Sequence, residues 1–281
     1  MKLLPLLLCA LFITTQAEAQ ITGAGASFPF PLYSKWVSVY TKETGKQINY
    51  QSIGSGGGIA QVKAGTVSFG ATDIPLNDKD LADSNLTQFP TVIGAVVPVV
   101  NLPNQQEVNL TDTQLAAIFA GEIIKWNDPR LASASSKPLP NIGVTLVHRS
   151  DGSGTTYIWA SYLSKVSPSW KTKYGASSMI EWDTGIGAKG NEGIAGNVKQ
   201  LNGSIGYVEY AYAKQNKMQI ARVNGNSADA KSFESKQWPI TAPTYILVPK
   251  NSKDRDEVIK FFAWAKKNGA AMAKELDYIP L

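Results

Sequence analysis

Apolar positions along this chain recur with two periods, and the alternation between them predicts its elements. Tyr33, Trp36, Val37 and Tyr40 stand at i, i+3, i+4 and i+7, the stripe by which a helix meets a core. Pro29 and Pro31 suit the entry of that helix and Gly45 its end. In "KQINYQSIG", Ile48 and Tyr50 alternate with polar neighbours as in a half-buried strand, and the following "GSGGG" leads into a short helix through Ile59 and Val62 that Gly65 stops. The strand "TVSFGATD" alternates Val67 with Phe69 and delivers Asp73 to its end. Residues 92 to 100, "VIGAVVPVV", are almost continuously apolar, which predicts a strand covered on both faces. "VTLVHR" delivers Arg149 in the same way, and behind it Ile158, Tyr162 and Val166 repeat at fourfold spacing beside Trp159 and Leu163. "IGYVEYAYA" and "PTYILVP" read as further strands, and Val258, Phe261, Phe262 and Ala265 mark a last helix before Gly269. The repeated unit of strand, Gly/Ser loop and helix places the chain in the α/β class.

Residues 1 to 19 change this picture before any core is built. Lys2, the apolar run from Leu3 to Ile13, and the small residues Ala17 and Ala19 read as a cleavable secretory signal, so an exported chain beginning at Gln20 is expected. The single cysteine, Cys9, follows Leu8 inside that run and is expected to leave with it rather than carry lipid. The remainder then has no disulfide, thiol chemistry or cysteine zinc site, and neither metal nor cofactor is expected. Its length suits one large or two medium α/β domains. With 27 basic and 22 acidic residues the net charge is +5, and removal of Lys2 and Glu18 leaves it unchanged. Basic residues cluster no further than pairs such as Lys266 and Lys267, so nucleic acid is not an expected partner. A mildly basic surface favours the arrival of a small anion.

The chemistry gathers in "HRSDGSGTT", residues 148 to 156. A hydrolase nucleophile on a strand-to-helix elbow wants G-x-S-x-G, whereas Ser153 is flanked directly by Gly152 and Gly154. His148 and Asp151 share its short loop, which leaves little room for base, orienter and nucleophile in line. An anion cradle explains more of these residues at once. A helix start offers unpaired N–H groups and a positive dipole end, which Ser153, Gly154 and Thr155 combine with hydroxyls. Arg149 adds a guanidinium fork matched to a tetrahedral oxyanion. The device occurs three times, in "GASF" at 25 to 28, "GSGGG" at 54 to 58 and "DGSGT" at 151 to 155. None carries a P-loop lysine or a dinucleotide fingerprint, so a small free anion is preferred over a nucleotide.

Ser27, Ser55, Asp73 and Ser153 thus all lie at or just beyond strand ends in loops that enter helices, where open α/β sheets bind ligands. Asp73 is the odd member, because a carboxylate facing an anion is expensive unless something donates to it. Phosphate near neutral pH still carries a proton and sulfate does not, so Asp73 can accept that proton and discriminate between them. A solvated turn or cap residue is the other reading of Asp73 at this point.

These residues also resemble the periplasmic phosphate-binding proteins of high-affinity phosphate ABC transporters, through "TGAGASFPFPLYSKW", "YQSIGSGGG", "FGATDIPL", "FPTVIGAVVPVVN", "RSDGSGTTYIWASYL", "GAKGNEGIAGNV" and "GSIGYVEYAYAKQN". The segments run in family order across nearly the whole exported chain. The resemblance implies a two-lobed α/β periplasmic binding protein fold with two hinge-strand crossings, near Val92 and Thr241. One lobe would comprise residues 20–92 plus 242–281 and the other residues 93–241. It implies phosphate held between the lobes by Ser27, the Phe28 backbone N–H, Ser55, Asp73, Arg149, Ser153, Gly154 and Thr155, with Asp151 pairing with Arg149. Ser27 stands where threonine is frequent in the family, which keeps the hydroxyl. The expected protein is a periplasmic, monomeric receptor without catalytic activity that delivers inorganic phosphate to a membrane permease. A receptor for sulfate or molybdate, a serine phosphatase or esterase, and a sensory or adhesive role are the competing expectations.

Overall fold

The computed structural model describes residues 21–281, so the expected signal segment and Cys9 lie outside the described residues. In chain order the first part comprises β1 (Ile21–Gly25), α1 (Phe30–Thr44), β2 (Ile48–Ser52), α2 (Ser55–Lys63), β3 (Phe69–Thr72), α3 (Asp78–Asp83) and the long β4 (Leu86–Asn101). The middle comprises β5 (Asn109–Leu110), α4 (Asp112–Phe119), β6 (Thr145–Arg149), α5 (Gly154–Val166), α6 (Pro168–Lys173), β7 (Ile186–Ala188), α7 (Gly190–Gln200), β8 (Ser204–Glu209) and α8 (Tyr210–Gln215). The chain closes with β9 (Gln219–Ile220), β10 (Arg222–Val223), α9 (Ala230–Glu234), β11 (Thr241–Pro249), α10 (Arg255–Asn268), α11 (Ala270–Glu275) and β12 (Ile279–Pro280).

The main sheet runs β2-β1-β3-β11-β4-β8-β6-β7, and β4 ties its halves together. From Leu86 to Ala95 this strand pairs antiparallel with β11, and from Val96 to Asn101 with β8. The partner changes between Ala95 and Val96, where the Val96 N–H donates to Ile240 O at 2.9 Å, just before β11 begins. Two adjacent strands therefore carry the chain between the two lobes. β1 is parallel to β2 and β3, and β6 is parallel to β8 and β7, so each lobe contains a βα-type half-sheet with strand ends that meet the other lobe.

The expected helix stripe is α1, which buries Tyr33, Trp36 and Tyr40 and ends on Gly45 at φ 74°. Trp36 packs beside Tyr33 and donates its indole N–H to Gly269 O at 3.1 Å, fixing α1 to the end of α10. Fully burying one such side chain contributes roughly 1.5–3 kcal/mol. The doubly covered run is present from Ala95 to Val100, all buried, but its strand starts six residues earlier than residue 92, at Leu86. "IGYVEYAYA" is only half strand. β8 stops at Glu209, whose carboxylate accepts the Ala211 N–H and caps α8 across Tyr210–Gln215. The alternating tyrosines imitate a strand, while a capping glutamate and a run of helix formers end it.

Candidate anion-binding site

Five strand ends converge where the lobes touch. β1 runs out into Ser27 and Phe28, β2 into Gly54 and Ser55, β3 into Asp73, β6 into Arg149, and β7 into Gly190 and Asn191. Ser27, Phe28, Ser55, Asp73, Arg149, Ser153, Gly154 and Thr155 are all buried there. The lobes meet through the Gly56 N–H, which donates to Gly152 O at 2.9 Å, and through Ser52, which donates to Glu192 at 3.1 Å.

The start of α5 is shaped as the cradle requires. The Ser153 hydroxyl accepts the Thr156 N–H at 3.0 Å, closing the cap while keeping its own hydrogen. As the first two residues of the helix, Gly154 and Thr155 have N–H groups with no acceptor within it. Gly154 lets this helix end press against the opposite lobe. A Cβ there would collide with Asp73 Oδ2 at 2.5 Å and with the Ser55 hydroxyl. On the opposing face the Phe28 N–H meets no acceptor among the described residues.

Arg149 and Asp151 form a forked pair: Nε donates to Oδ1 at 2.7 Å and Nη2 to Oδ2 at 2.6 Å. The guanidinium is almost wholly buried, and its Nη1 has no hydrogen-bond partner. A buried cationic donor left open in this way costs free energy unless an acceptor arrives, and an anion's oxygen supplies one. Burial pushes Asp151 upward, but the Arg149 guanidinium and the Gly190 N–H outweigh it and hold the carboxyl below the usual range. The Asp151 carboxyl therefore stays ionised at neutral pH.

Asp73 is built differently. It is 2% exposed, its Oδ1 accepts the Thr244 hydroxyl at 2.7 Å, and its Oδ2 lies 3.5 Å from the Ser55 hydroxyl, which itself accepts the Asp73 N–H at 3.1 Å. Burial pushes the carboxyl up to about 7, against the downward pull of Thr244, Arg149 and Ser55. The solvated-turn reading of Asp73 therefore fails.

His148 takes no part in a relay with Ser153. Its half-buried ring stacks on Trp182 at 4.8 Å and its Nδ1 meets Arg149 O at 3.2 Å, while the Ser153 hydroxyl is turned to its helix cap. Among the described residues there is no group of His, Cys, Asp and Glu able to hold a metal ion.

Several residues here were not singled out from the sequence. Thr244 of β11 reaches Asp73 beside an irregularity in the β4–β11 pairing, where Thr91 is the extra residue on β4. Tyr212 donates to Ser27 O at 2.7 Å, and Tyr278 lies 2.7 Å from Phe28 O and 2.9 Å from Glu209. Burial drives Glu209 well above the carboxylate range, against the downward pull of the Tyr278 hydroxyl and the Ala211 N–H, which both donate to its Oε2. Asn191, wholly buried, reaches Ser27, Thr155 and Glu209 together. Its only signal in the sequence is its place in "GAKGNEG", a glycine-rich helix entry resembling the other three.

Comparison with known proteins bears on what this geometry serves. The profile of the PBP superfamily domain matches residues 13–267. A phosphate-binding protein PstS from Pasteurella multocida is 46% identical over 314 aligned residues, which cover 99% of this chain and 91% of that protein. The protein of the same name from Xylella fastidiosa is 47% identical across 94% of this chain and 82% of its own length. Among solved structures, an ABC-type phosphate transport receptor from Vibrio cholerae superposes with a TM-score of 0.67, covering 93% of this chain and 100% of the other at 18% identity, a likeness of fold alone.

Proposed function

The chain belongs to the PstS family of phosphate-binding proteins within the PBP superfamily, and from that membership we propose that it is an exported periplasmic receptor. It holds inorganic phosphate between its lobes and delivers it to the membrane permease of an ABC transporter. The ligand set is Ser27, the Phe28 N–H, Ser55, Asp73, Arg149, Ser153, Gly154 and Thr155, with Asp151 orienting the arginine. Residues 20–92 with 242–281 form one moving body and residues 93–241 the other, hinged over β4 from Val92 to Val96 and the adjacent start of β11. A ligand that touches both walls favours the closed arrangement by its differential affinity, and opening the hinge releases it. The protein binds its ligand and does not transform it.

Asp73 is the observation that carries this reading. It supplies the one acceptor in a pocket of donors, so one proton has to lie between it and the bound anion. Monohydrogen phosphate and arsenate bring that proton with them, whereas sulfate brings none. Titration calorimetry with the three anions between pH 6 and 9 tests it. Above pH 7 phosphate and arsenate affinities should stay level and close to one another. Sulfate should bind at least 100-fold more weakly at pH 8, a difference of about 2.7 kcal/mol or more, and lose about tenfold for each further pH unit as Asp73 gives up its proton. Equal affinity for sulfate and phosphate at pH 8 overturns the assignment.

A further inference from the structure

Asn191 occupies the second position of α7 and touches both walls. Its backbone N–H donates to Ser27 Oγ at 3.1 Å, and its Nδ2 donates to Ser27 Oγ at 2.8 Å and to Thr155 Oγ1 at 3.0 Å. Its Oδ1 accepts the Glu209 N–H at 2.8 Å. A backbone N–H can only donate, so Glu209 fixes which end of the amide is oxygen and the side chain cannot be flipped without leaving two donors facing each other. Glu209 is itself held by the Ala211 N–H and Tyr278, which keeps that anchor in place.

The consequence lies in the count of hydrogens and lone pairs. An amide nitrogen carries two hydrogens and accepts nothing, and here each hydrogen has a separate hydroxyl oxygen to meet. The Ser27 oxygen has two lone pairs and receives two donors, the Asn191 N–H and Nδ2. Ser27 is thereby saturated as an acceptor, and the only function it retains is its own hydrogen. Thr155 has one lone pair engaged in the same way, which turns its hydrogen from Asn191.

We propose that Asn191 sets the hydrogen-bond polarity of the cleft: it obliges Ser27 and biases Thr155 to act as donors, so that every group around the anion except Asp73 presents a hydrogen. This rests on the reading of the cleft as a phosphate site and narrows it to one species. A dianion with a single proton matches one acceptor and a surround of donors. The doubly protonated monoanion would set its second hydrogen against another hydrogen. Asn191 is a positioning residue, because it acts through the two hydroxyls and is not placed against the ligand.

A double-mutant cycle on the phosphate-stripped exported chain reads this directly. Ser27→Ala and Asn191→Ala should each weaken phosphate binding about tenfold, the worth of one charge-assisted hydrogen bond, and the pair together by little more than either alone, because Asn191 acts through the oxygen that Ser27→Ala removes. A purely structural role would give losses that multiply to about a hundredfold, and that result overturns the inference. Urea unfolding of each variant accompanies the cycle. Should Asn191→Ala not fold, Asn191→Asp keeps the shape and the bond to the Glu209 N–H but replaces the donating nitrogen by an acceptor. It should bind phosphate more weakly than Ser27→Ala does, and affinity equal to wild type overturns the inference as well. If the wild-type protein proves to prefer sulfate, the reading of the ligand fails, while the same cycle run with sulfate still decides the part played by Asn191.

Discussion

The two walls of the cleft each bury charge, and they settle it in opposite ways. On the wall formed by β6 and α5, Arg149 is matched by a forked carboxylate, so the ion pair is complete and one guanidinium nitrogen is left over for a ligand. On the wall formed by β3 and β11, Asp73 has hydroxyl partners and no forked cation, and its proton affinity rises into the physiological range. The first wall offers charge that does not vary with pH, and the second offers an acceptor whose state does. The proposed receptor function assigns affinity for any small oxyanion to the former and choice among oxyanions to the latter.

Removing the fixed charge should have the largest effect. Arg149→Ala takes away the open donor and leaves Asp151 with an unpaired carboxylate near the ligand, so phosphate affinity is expected to fall by about 30- to 1000-fold, roughly 2–4 kcal/mol. The loss should be similar for phosphate and sulfate, because the arginine does not read the proton. Calorimetry on both anions checks this, and a loss confined to phosphate would mean that the walls do not divide their work as described.

Asp73→Asn addresses the other wall, and its clearest signature is in the anion-free protein. The folded carboxyl holds its proton up to about pH 7, whereas an unfolded one releases it near 4. Its stabilising contribution is therefore complete below pH 4 and is lost as pH rises through about 7. Linkage over that window amounts to at most about 4 kcal/mol. Urea midpoints should show wild-type stability declining from pH 4 to 8, and Asp73→Asn flattening that decline by on the order of 2 kcal/mol. The same variant should lose discrimination against sulfate more than it loses total anion binding. A wild-type profile already flat across this range would place Asp73 among ordinary ionised carboxylates.

How far these walls could be read from the sequence differs as well. The wall at β6 and α5 is local: Arg149, Asp151, Ser153, Gly154 and Thr155 lie within seven residues, and glycine and serine at a helix entry announce their chemistry. The apolar periodicity located α1, β6 and α10 for the same reason, since each is specified by neighbours within a few turns. The wall at Asp73 is assembled over long distances. Thr244 comes from 171 residues away on β11, and Asn191 meets Ser27 across 164 residues. A threonine in "PTYILVP" looks like any other strand residue, and nothing in the pattern says which side chain its hydroxyl will face. The error at Tyr210 has a related origin, because the Tyr/Ala alternation is shared by strand and helix until the cap at Glu209 decides between them.

The smallest effect should come from Asp151→Asn, which tests whether the ion pair orients the guanidinium or merely neutralises it. Two consequences oppose each other. The asparagine retains one acceptor for Nε but turns a donor toward Nη2, so the fork opens and a buried nitrogen loses its partner, at a cost of about 1–3 kcal/mol. At the same time a negative charge near the anion disappears, which strengthens attraction by an amount that screening keeps to about 1–2 kcal/mol. The hydrogen-bond term is the larger because Arg149 is almost wholly buried and water cannot replace the lost acceptor. Phosphate affinity should therefore fall three- to tenfold, with the urea midpoint of the anion-free protein falling alongside it. If affinity instead rises, charge neutralisation is the dominant role of Asp151, and the fixed wall would be limited by its own carboxylate.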